Sequence, residues 1–81
     1  MTLLDLDGQT RVQVRALPPD AAAARRLQSL GIAVGRRIEF VRAAPFAGPI
    51  LIEDRATGAR VMIARELAGH IQVGPDDGAD T

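Results

Sequence analysis

His70 is the single histidine of this 81-residue chain, and it follows Glu66 by four residues. If that segment is helical, both side chains lie on one face, where an imidazole nitrogen and a carboxylate oxygen could bind one divalent metal ion. A zinc or ferrous site that serves a protein's function needs more protein ligands than this pair supplies. We therefore expect no required cofactor and, at most, adventitious binding of zinc or another divalent metal at Glu66 and His70. An ordinary surface histidine is the simplest interpretation.

The remaining residues offer little for catalysis. The chain contains no cysteine, which excludes disulfides, thiolate zinc sites, iron–sulfur clusters and a cysteine nucleophile. Ser29 falls within a predicted helix and has no histidine or other base near it in the sequence. No glycine-rich phosphate-binding motif occurs. These observations predict that the protein is not an enzyme.

Arginine supplies all of the positive side-chain charge. The ten basic residues are balanced by ten acidic ones, so the formal net charge is zero and no overall field favours nucleic acid or anionic lipid. Several arginines could still form a local basic surface for a nucleotide, an acidic partner or nucleic acid: Arg25, Arg26, Arg36, Arg37 and Arg42. Solvated strand and helix faces are the simpler explanation. Because only Phe40 and Phe46 could stack on bases, we expect no nucleic-acid binding.

Hydrophobic periodicity predicts the elements that hold these residues. Residues 11–16 alternate polar and apolar side chains, which is typical of a half-buried strand, and Pro18 and Pro19 end it. A helix then begins after Asp20, a suitable N-cap, and ends before Gly31. Its apolar positions are spaced as one buried stripe: Ala23, Leu27 and Leu30.

The second half of the chain predicts a series of short strands. Residues 37–43, 50–54, 59–63 and 71–73 have strand character, and a short connection containing Gly58 joins the third and fourth strands as a hairpin. Residues 45–49 form a longer loop rich in proline and glycine. Residues 65–69 have room for one helical turn.

Together these elements predict a mainly β fold with one N-terminal helix, a small and partly open β-barrel of five short strands. One domain covers residues 1–73, and the Asp- and Gly-rich segment 74–81 is expected to be a disordered tail. The N-terminus lacks the pattern of a signal sequence, and no apolar run approaches the roughly 20 residues of a spanning helix. We therefore expect a cytoplasmic protein that does not span the membrane.

The stretch 27–49 carries the most specific pattern, an L-x-x-L-G-x-x-x-G turn, a strand and the loop sequence APFAGP. In this combination it resembles the FeoA family, small SH3-like proteins that accompany the ferrous-iron transporter FeoB. The similarity runs from about Leu3 to Val73 and implies an SH3-like barrel. Val34 departs from the pattern, because the family often has proline before the glycine. The turns that would support this fold are at Gly31, Gly35, Gly48 and Gly58.

The resemblance also implies an apolar cleft between the helix and the 45–49 loop. The expected contact residues are Leu27, Leu30, Ile32, Pro45, Phe46 and Pro49. Phe46 could enter a partner's groove or fold back as a lid over the core, and both are compatible with a cleft lined by Leu30 and Ile32. If these side chains are exposed together, they could also pair two copies as a weak homodimer.

The function that the resemblance implies is that of a cytosolic accessory protein of bacterial ferrous iron uptake. It would bind the cytoplasmic part of FeoB and modulate GTP hydrolysis, gating or assembly. Two alternatives remain. The first is an SH3-like module related to the C-terminal domain of iron-dependent repressors, which would need a separate DNA-binding partner because this chain has no helix-turn-helix segment. The second is an Arg-rich barrel that binds nucleic acid.

Overall fold

The computed structural model describes residues 1–76 of the chain. A 3₁₀ turn at Leu3–Asp5 precedes all other elements. The strands are β1 (Thr10–Ala16), β2 (Arg37–Ala43), β3 (Ile50–Asp54), β4 (Arg60–Ile63) and β5 (Gln72–Pro75), and the helices are α1 (Ala21–Ser29) and α2 (Arg65–Ala68). The predicted mainly β fold with five short strands is confirmed. No helix in this part of the chain is long and apolar enough to cross a membrane.

All five strands belong to one antiparallel sheet, in the order β4-β3-β2-β1-β5. Strands β4 and β5 are therefore its edges. The alternation that predicted β1 is visible in its burial. Val12 and Val14 are 3% and 1% exposed, whereas Arg11 is exposed to solvent. Val12 lies opposite Ile38 of β2, so the buried positions of neighbouring strands share one face.

Helix α1 has the predicted ends. The Asp20 side chain accepts a hydrogen bond from the backbone N–H of Ala22 at 3.4 Å, and Gly31 follows the helix with a φ of 90°, a conformation that favours glycine. The predicted buried stripe is only partly present. Leu27 is completely buried, but Leu30 is 45% exposed because the helix has already ended at Ser29.

The core lies between the inner face of the sheet and the helical segments. Alternate strand residues supply one side of it: Val12, Val14, Ile38, Phe40, Ile50, Ile52, Ile63 and Val73. The residues that cover this face come from the turns and helices: Leu3, Leu27, Ile32, Ala68 and Ile71. Within residues 1–76 the core cluster contains apolar residues alone, so the core is held by apolar packing.

The N-terminal turn was not predicted from the sequence. Thr2 and Asp5 form a capping box, in which the Thr2 hydroxyl accepts from the N–H of Leu4 and the Asp5 carboxylate accepts from the N–H of Thr2. This turn places Leu3 in the core. The same segment lies along β5, where the N–H of Val73 donates to the carbonyl of Met1 at 2.9 Å and Thr2 bridges to Gln72.

The predicted tail begins too early. Gly74 and Pro75 lie in β5, and the Arg15 side chain packs over Gly74, since a Cβ there would lie 2.6 Å from Nε of Arg15. Arg15 also donates to the carbonyl of Pro75 at 2.8 Å. The pairing of β5 with β1 thus extends the domain past Val73. Residues 77–81 of the predicted tail lie outside the described residues.

The burial of α1 generates a stability prediction. Leu27→Ala should lower the free energy of unfolding by about 2–5 kcal/mol, because it leaves a cavity in a packed core. Leu30→Ala, on the same helix end but 45% exposed, should cost less than about 1 kcal/mol. Urea denaturation followed by circular dichroism measures both values. Equal losses for the two variants would contradict the assignment of Leu27 to the core.

Candidate functional site

The structure separates the residues that were expected to contact a partner. Leu27 and Ile32 are 0% and 2% exposed, so they belong to the core and the prediction that they contact a partner is wrong. Their side chains cover the sheet, and Ile32 reaches the surface only in the wall of a depression at the end of α1. Leu30, Pro45 and Phe46 are exposed, and Pro49 is half-buried.

Phe46 is the most exposed large apolar side chain of the described residues, at 99%. It does not form the lid over the core that was one of the two expectations. Phe46 and Ala47 have φ values of 60° and 57°, in the left-handed region that residues with a Cβ rarely adopt. Each such residue costs on the order of 1 kcal/mol, so the surrounding chain must hold the loop in this conformation.

Hydrogen bonds at both ends fix the 45–49 loop. The N–H of Ala44 donates to the carbonyl of Pro49 at 2.9 Å, and the N–H of Gly48 donates to the carbonyl of Pro45 at 3.2 Å. Arg65 of α2 donates from Nε to the carbonyl of Gly48 at 3.2 Å. A Cβ at Gly48 would lie 2.8 Å from Cβ of Ala44, so this glycine permits a close approach of the chain to itself. The exposed phenylalanine is therefore presented by a constrained loop.

The other three predicted turn glycines act through backbone conformation. Gly31, Gly35 and Gly58 have φ values of 90°, 93° and 78°. Side chains at these positions would be strained even where space is open, as it is at Gly35 and Gly58.

A depression of about 350 Å³ lies beside the 45–49 loop, and we call it the loop depression. It is lined by the two loop prolines and by outward-facing strand residues, chiefly Arg42, Pro45, Pro49, Leu51 and Met62. Leu51 and Met62 face each other across β3 and β4. Met62 is 59% exposed and Leu51 is half-buried, so an apolar floor is open to solvent.

A second depression, of about 300 Å³, lies at the end of α1, and we call it the helix-end depression. Its lining includes Leu30, Ile32, Arg36, Ile52 and Asp54. Ile52 and Leu51 are neighbours in β3 and therefore point to opposite faces of the sheet. The two depressions thus lie on opposite faces. The predicted single cleft between helix and loop is not formed in the described residues.

An ion pair between Arg36 and Asp54 closes one side of the helix-end depression. Asp54 occupies an inward-facing position of β3, opposite Ile38, and its side chain is only 13% exposed. Burial opposes ionisation of this carboxyl, but hydrogen bonds from Arg36 and from the backbone N–H of Ala56 outweigh it. Together they hold the pKa of Asp54 below its usual value.

Glu66 and His70 are both exposed and line one further depression, together with Pro18, Pro19 and Leu67. Helix α2 ends at Ala68, so His70 lies beyond it. Among residues 1–76, no group of three or more histidine and carboxylate side chains could hold a metal ion. Adventitious metal binding by this pair stays a prediction.

The arginines singled out in the sequence do not share one surface. Arg25 and Arg26 are exposed on α1, and Arg42 lines the loop depression. Arg36 and Arg37 line a different depression, together with Arg55. Of the two aromatic residues, Phe40 is buried at 4% exposure, which leaves Phe46 alone as a surface aromatic. A stacking platform for bases is therefore not present in residues 1–76.

Sequence reasoning missed Leu51 and Met62 as surface residues. Their signal was available, because the strand sequence Ile-Leu-Ile at positions 50–52 must place its middle residue on the face opposite its neighbours. A shift of register between Phe40 and Arg42 brings Arg42 opposite Leu51. Only the pairing of three strands reveals that these residues share a floor.

Comparison with known proteins adds a family match. The sequence-family model of the FeoA domain matches residues 1–75 of this chain. No curated protein sequence matches this chain.

Several solved structures share the fold. The solution structure of the FeoA protein from Chlorobium tepidum is 29% identical, with a TM-score of 0.83, over 94% of this chain and 70% of that chain. A crystal structure of an iron uptake regulatory protein (FeoA) is 27% identical, with a TM-score of 0.80, over 90% of this chain and 93% of that chain. ScaR with bound Cd²⁺ is 20% identical, with a TM-score of 0.80, over 90% of this chain and 34% of that chain. This last likeness shows the fold alone.

The ion pair at the helix-end depression generates a pH prediction. Because the pKa of Asp54 is lowered in the folded state, the unfolded chain binds a proton first as the pH falls. The contribution of Asp54 to stability is complete above about pH 4 and is lost as the pH falls through the folded-state pKa. The unfolding free energy of Asp54→Asn should therefore decline less steeply between about pH 5 and about pH 2 than that of the wild type.

Urea denaturation at several pH values in this range measures that slope. Glu66→Gln is the matched control, because it makes the same carboxylate-to-amide change at an exposed side chain. An unchanged slope in Asp54→Asn would show that this carboxylate does not contribute to the acid sensitivity.

Proposed function

Since the chain belongs to the FeoA family, we propose that it is a cytoplasmic accessory protein of bacterial ferrous iron uptake that binds the cytoplasmic part of a FeoB-type transporter and modulates its activity. The family match supplies the class of partner, and the exposed loop supplies the candidate contact. Iron is the cargo of the transporter in this proposal, and the protein itself requires no cofactor.

The presentation of Phe46 is the observation that carries the proposed docking. A phenylalanine that is 99% exposed gains about 1.5–3 kcal/mol when a partner buries it. The loop holds two successive residues in a left-handed conformation, and such local strain is concentrated at functional sites. Since hydrogen bonds already fix the loop, little conformational freedom is lost on binding.

The loop depression extends this anchor into a surface. Pro45 and Pro49 connect Phe46 to the apolar floor of Leu51 and Met62, and Arg42 stands at the rim. Aromatic anchors surrounded by apolar contacts and a charged rim are typical of protein interfaces. The proposed contact set therefore keeps Pro45, Phe46 and Pro49 from the sequence prediction and adds Leu51 and Met62.

The protein would regulate by differential binding. A docked module shifts a transporter between two conformations only if it binds one of them more tightly than the other. A binding constant that changes with the nucleotide bound to the transporter would connect docking to GTP hydrolysis, while a constant independent of nucleotide favours a role in gating or assembly.

The alternative functions receive less support. The likeness to ScaR at 20% identity concerns the fold, and the described residues hold no group of three metal-ligating side chains. Binding of nucleic acid lacks its usual aromatic platform, because Phe40 is buried. We therefore propose neither of them.

Docking through the loop predicts a selective loss of binding. Phe46→Ala should weaken binding to the soluble cytoplasmic domain of the host's FeoB by about tenfold to a hundredfold, which corresponds to about 1.4–2.8 kcal/mol. Isothermal titration calorimetry with and without guanine nucleotide measures the affinity. Leu30→Ala is the matched control, an exposed apolar residue in the helix-end depression on the opposite face, and it should bind as the wild type does.

Other results of the titration would move the interface or contradict the proposed partner. A loss in Leu30→Ala with normal binding by Phe46→Ala would move the interface to the helix-end depression. A wild-type protein that does not bind in any nucleotide state would contradict the proposed partner.

Light scattering over a concentration series tests the predicted weak homodimer, which Phe46→Ala should abolish if the same patch pairs two copies.

A further inference from the structure

Three arginines surround a depression that the proposed docking does not use. It has a volume of about 350 Å³ and is lined by Gly35, Arg36, Arg37, Arg55 and Ala56. Arg37 begins β2, whereas the 45–49 loop follows the end of that strand. A strand of this length spans about 20 Å, so the arginine depression lies well away from Phe46.

The backbone that carries these arginines is fixed by the sheet. The N–H of Arg55 donates to the carbonyl of Arg37 at 3.0 Å. The N–H of Gly35 donates to the carbonyl of Val14 at 2.9 Å, and the N–H of Val14 donates to the carbonyl of Arg36 at 2.9 Å. The fold therefore brings the backbone positions of the three arginines together, and one of them, Arg36, is also paired with Asp54.

A carboxylate of the chain itself is seated among these charges. Asp76, the first residue after β5, has Oδ1 at 3.6 Å from Nε of Arg37 and Oδ2 at 3.6 Å from Nη1 of Arg55. Its side chain is only 6% exposed. Neither of its oxygens has a hydrogen-bond partner in the described residues. Asp76 does not line the depression, but it pairs with two of the arginines that do, which shows that these arginines attract a carboxylate.

The contact made by Asp76 is incomplete. Hydrogen bonds between a guanidinium and a carboxylate have lengths of about 2.7–2.9 Å, and the two separations of 3.6 Å exceed this range. A buried carboxylate without hydrogen bonds has lost its water without full compensation. Within residues 1–76, Nε of Arg36 is also buried without a hydrogen-bond partner, although Nη2 of the same side chain pairs with Asp54. A carboxylate on a separate and more adaptable chain could satisfy these donors better than Asp76 does.

We propose that the arginine depression is a binding site for an acidic peptide segment of a protein partner, and that Asp76 competes in cis for two of its arginines. The site combines guanidinium groups carried by backbone that the sheet holds, a buried donor without a hydrogen-bond partner in the described residues, and a carboxylate that already pairs with two of the arginines. Binding of the segment displaces Asp76 and replaces two long ion pairs by hydrogen-bonded ones. Asp76 thereby lowers the apparent affinity, because only the fraction of molecules in which it has released Arg37 and Arg55 can bind fully. The proposal does not rest on docking through Phe46.

An NMR titration of the ¹⁵N-labelled full chain tests this site. The probe is a hexapeptide of alternating Asp and Glu, acetylated at its N-terminus and amidated at its C-terminus. The uncharged control is the same peptide with Asn in place of Asp and Gln in place of Glu. We expect saturable shifts of the amides of Gly35 and Ala56 with the acidic peptide alone. Arg37→Gln and Arg55→Gln should each reduce the affinity about tenfold, and Asp76→Asn should raise it about threefold or more.

Arg42→Gln is the matched control, because it removes an exposed arginine at the other end of β2 and should bind as the wild type does. Phe46→Ala should also retain peptide binding, which separates this site from the loop surface. Amide spectra of each variant verify its fold. A loss in Arg42→Gln equal to that in Arg55→Gln would overturn the proposal in favour of non-specific charge attraction.

Two further results would also overturn it. An unchanged affinity in Asp76→Asn would contradict competition by Asp76 for Arg37 and Arg55. If the same amides shift with inorganic phosphate or ATP, and the affinity for either exceeds that for the peptide, the depression binds a phosphate-bearing ligand instead.

Discussion

The fold depends on covering one face of a five-stranded sheet whose other face stays in solvent. Leu3, Leu27 and Ile71 lie across the inner face and are completely buried, and they come from three separate parts of the chain. In so small a domain each of these side chains is a large share of the core, and no buried polar network assists them within residues 1–76. The N-terminal turn, α1 and the approach to β5 are therefore held in place by the same layer of apolar contacts.

This one-sided covering determines what the surface can offer. Because successive side chains of a strand point to opposite faces, a strand that buries Ile50 and Ile52 must present Leu51 outward. The same rule turns Asp54 toward the inner side, where a carboxylate is unfavourable unless a cation accompanies it, and Arg36 meets that requirement. The apolar floor of the loop depression and the ion pair of the helix-end depression are two results of a single alternation.

Local patterns in the sequence were enough to predict the helices, the strands and most of the turns. The alternation around Val12, the cap at Asp20 and the glycine at Gly31 each depend on the backbone near them, and all three appear as expected. The site was harder to predict, because exposure depends on contacts between distant segments. Leu27 and Leu30 look alike in the sequence, yet only the point at which α1 ends decides that one is core and the other surface. The conformation of Phe46 likewise depends on Arg65, which lies far along the chain.

The first residues of the chain also affect how the sheet meets other sheets. Met1 and Thr2 lie along β5 and take up part of its hydrogen-bonding edge. Unpaired edges are where proteins join strand to strand and aggregate, so this arrangement protects one side of the sheet. In the part of the chain that the structure describes, β4 is left as the other edge, and it is four residues long and begins with an arginine. A short, charged edge is a poor template for an added strand, which directs association of this domain toward side-chain surfaces rather than toward extension of the sheet.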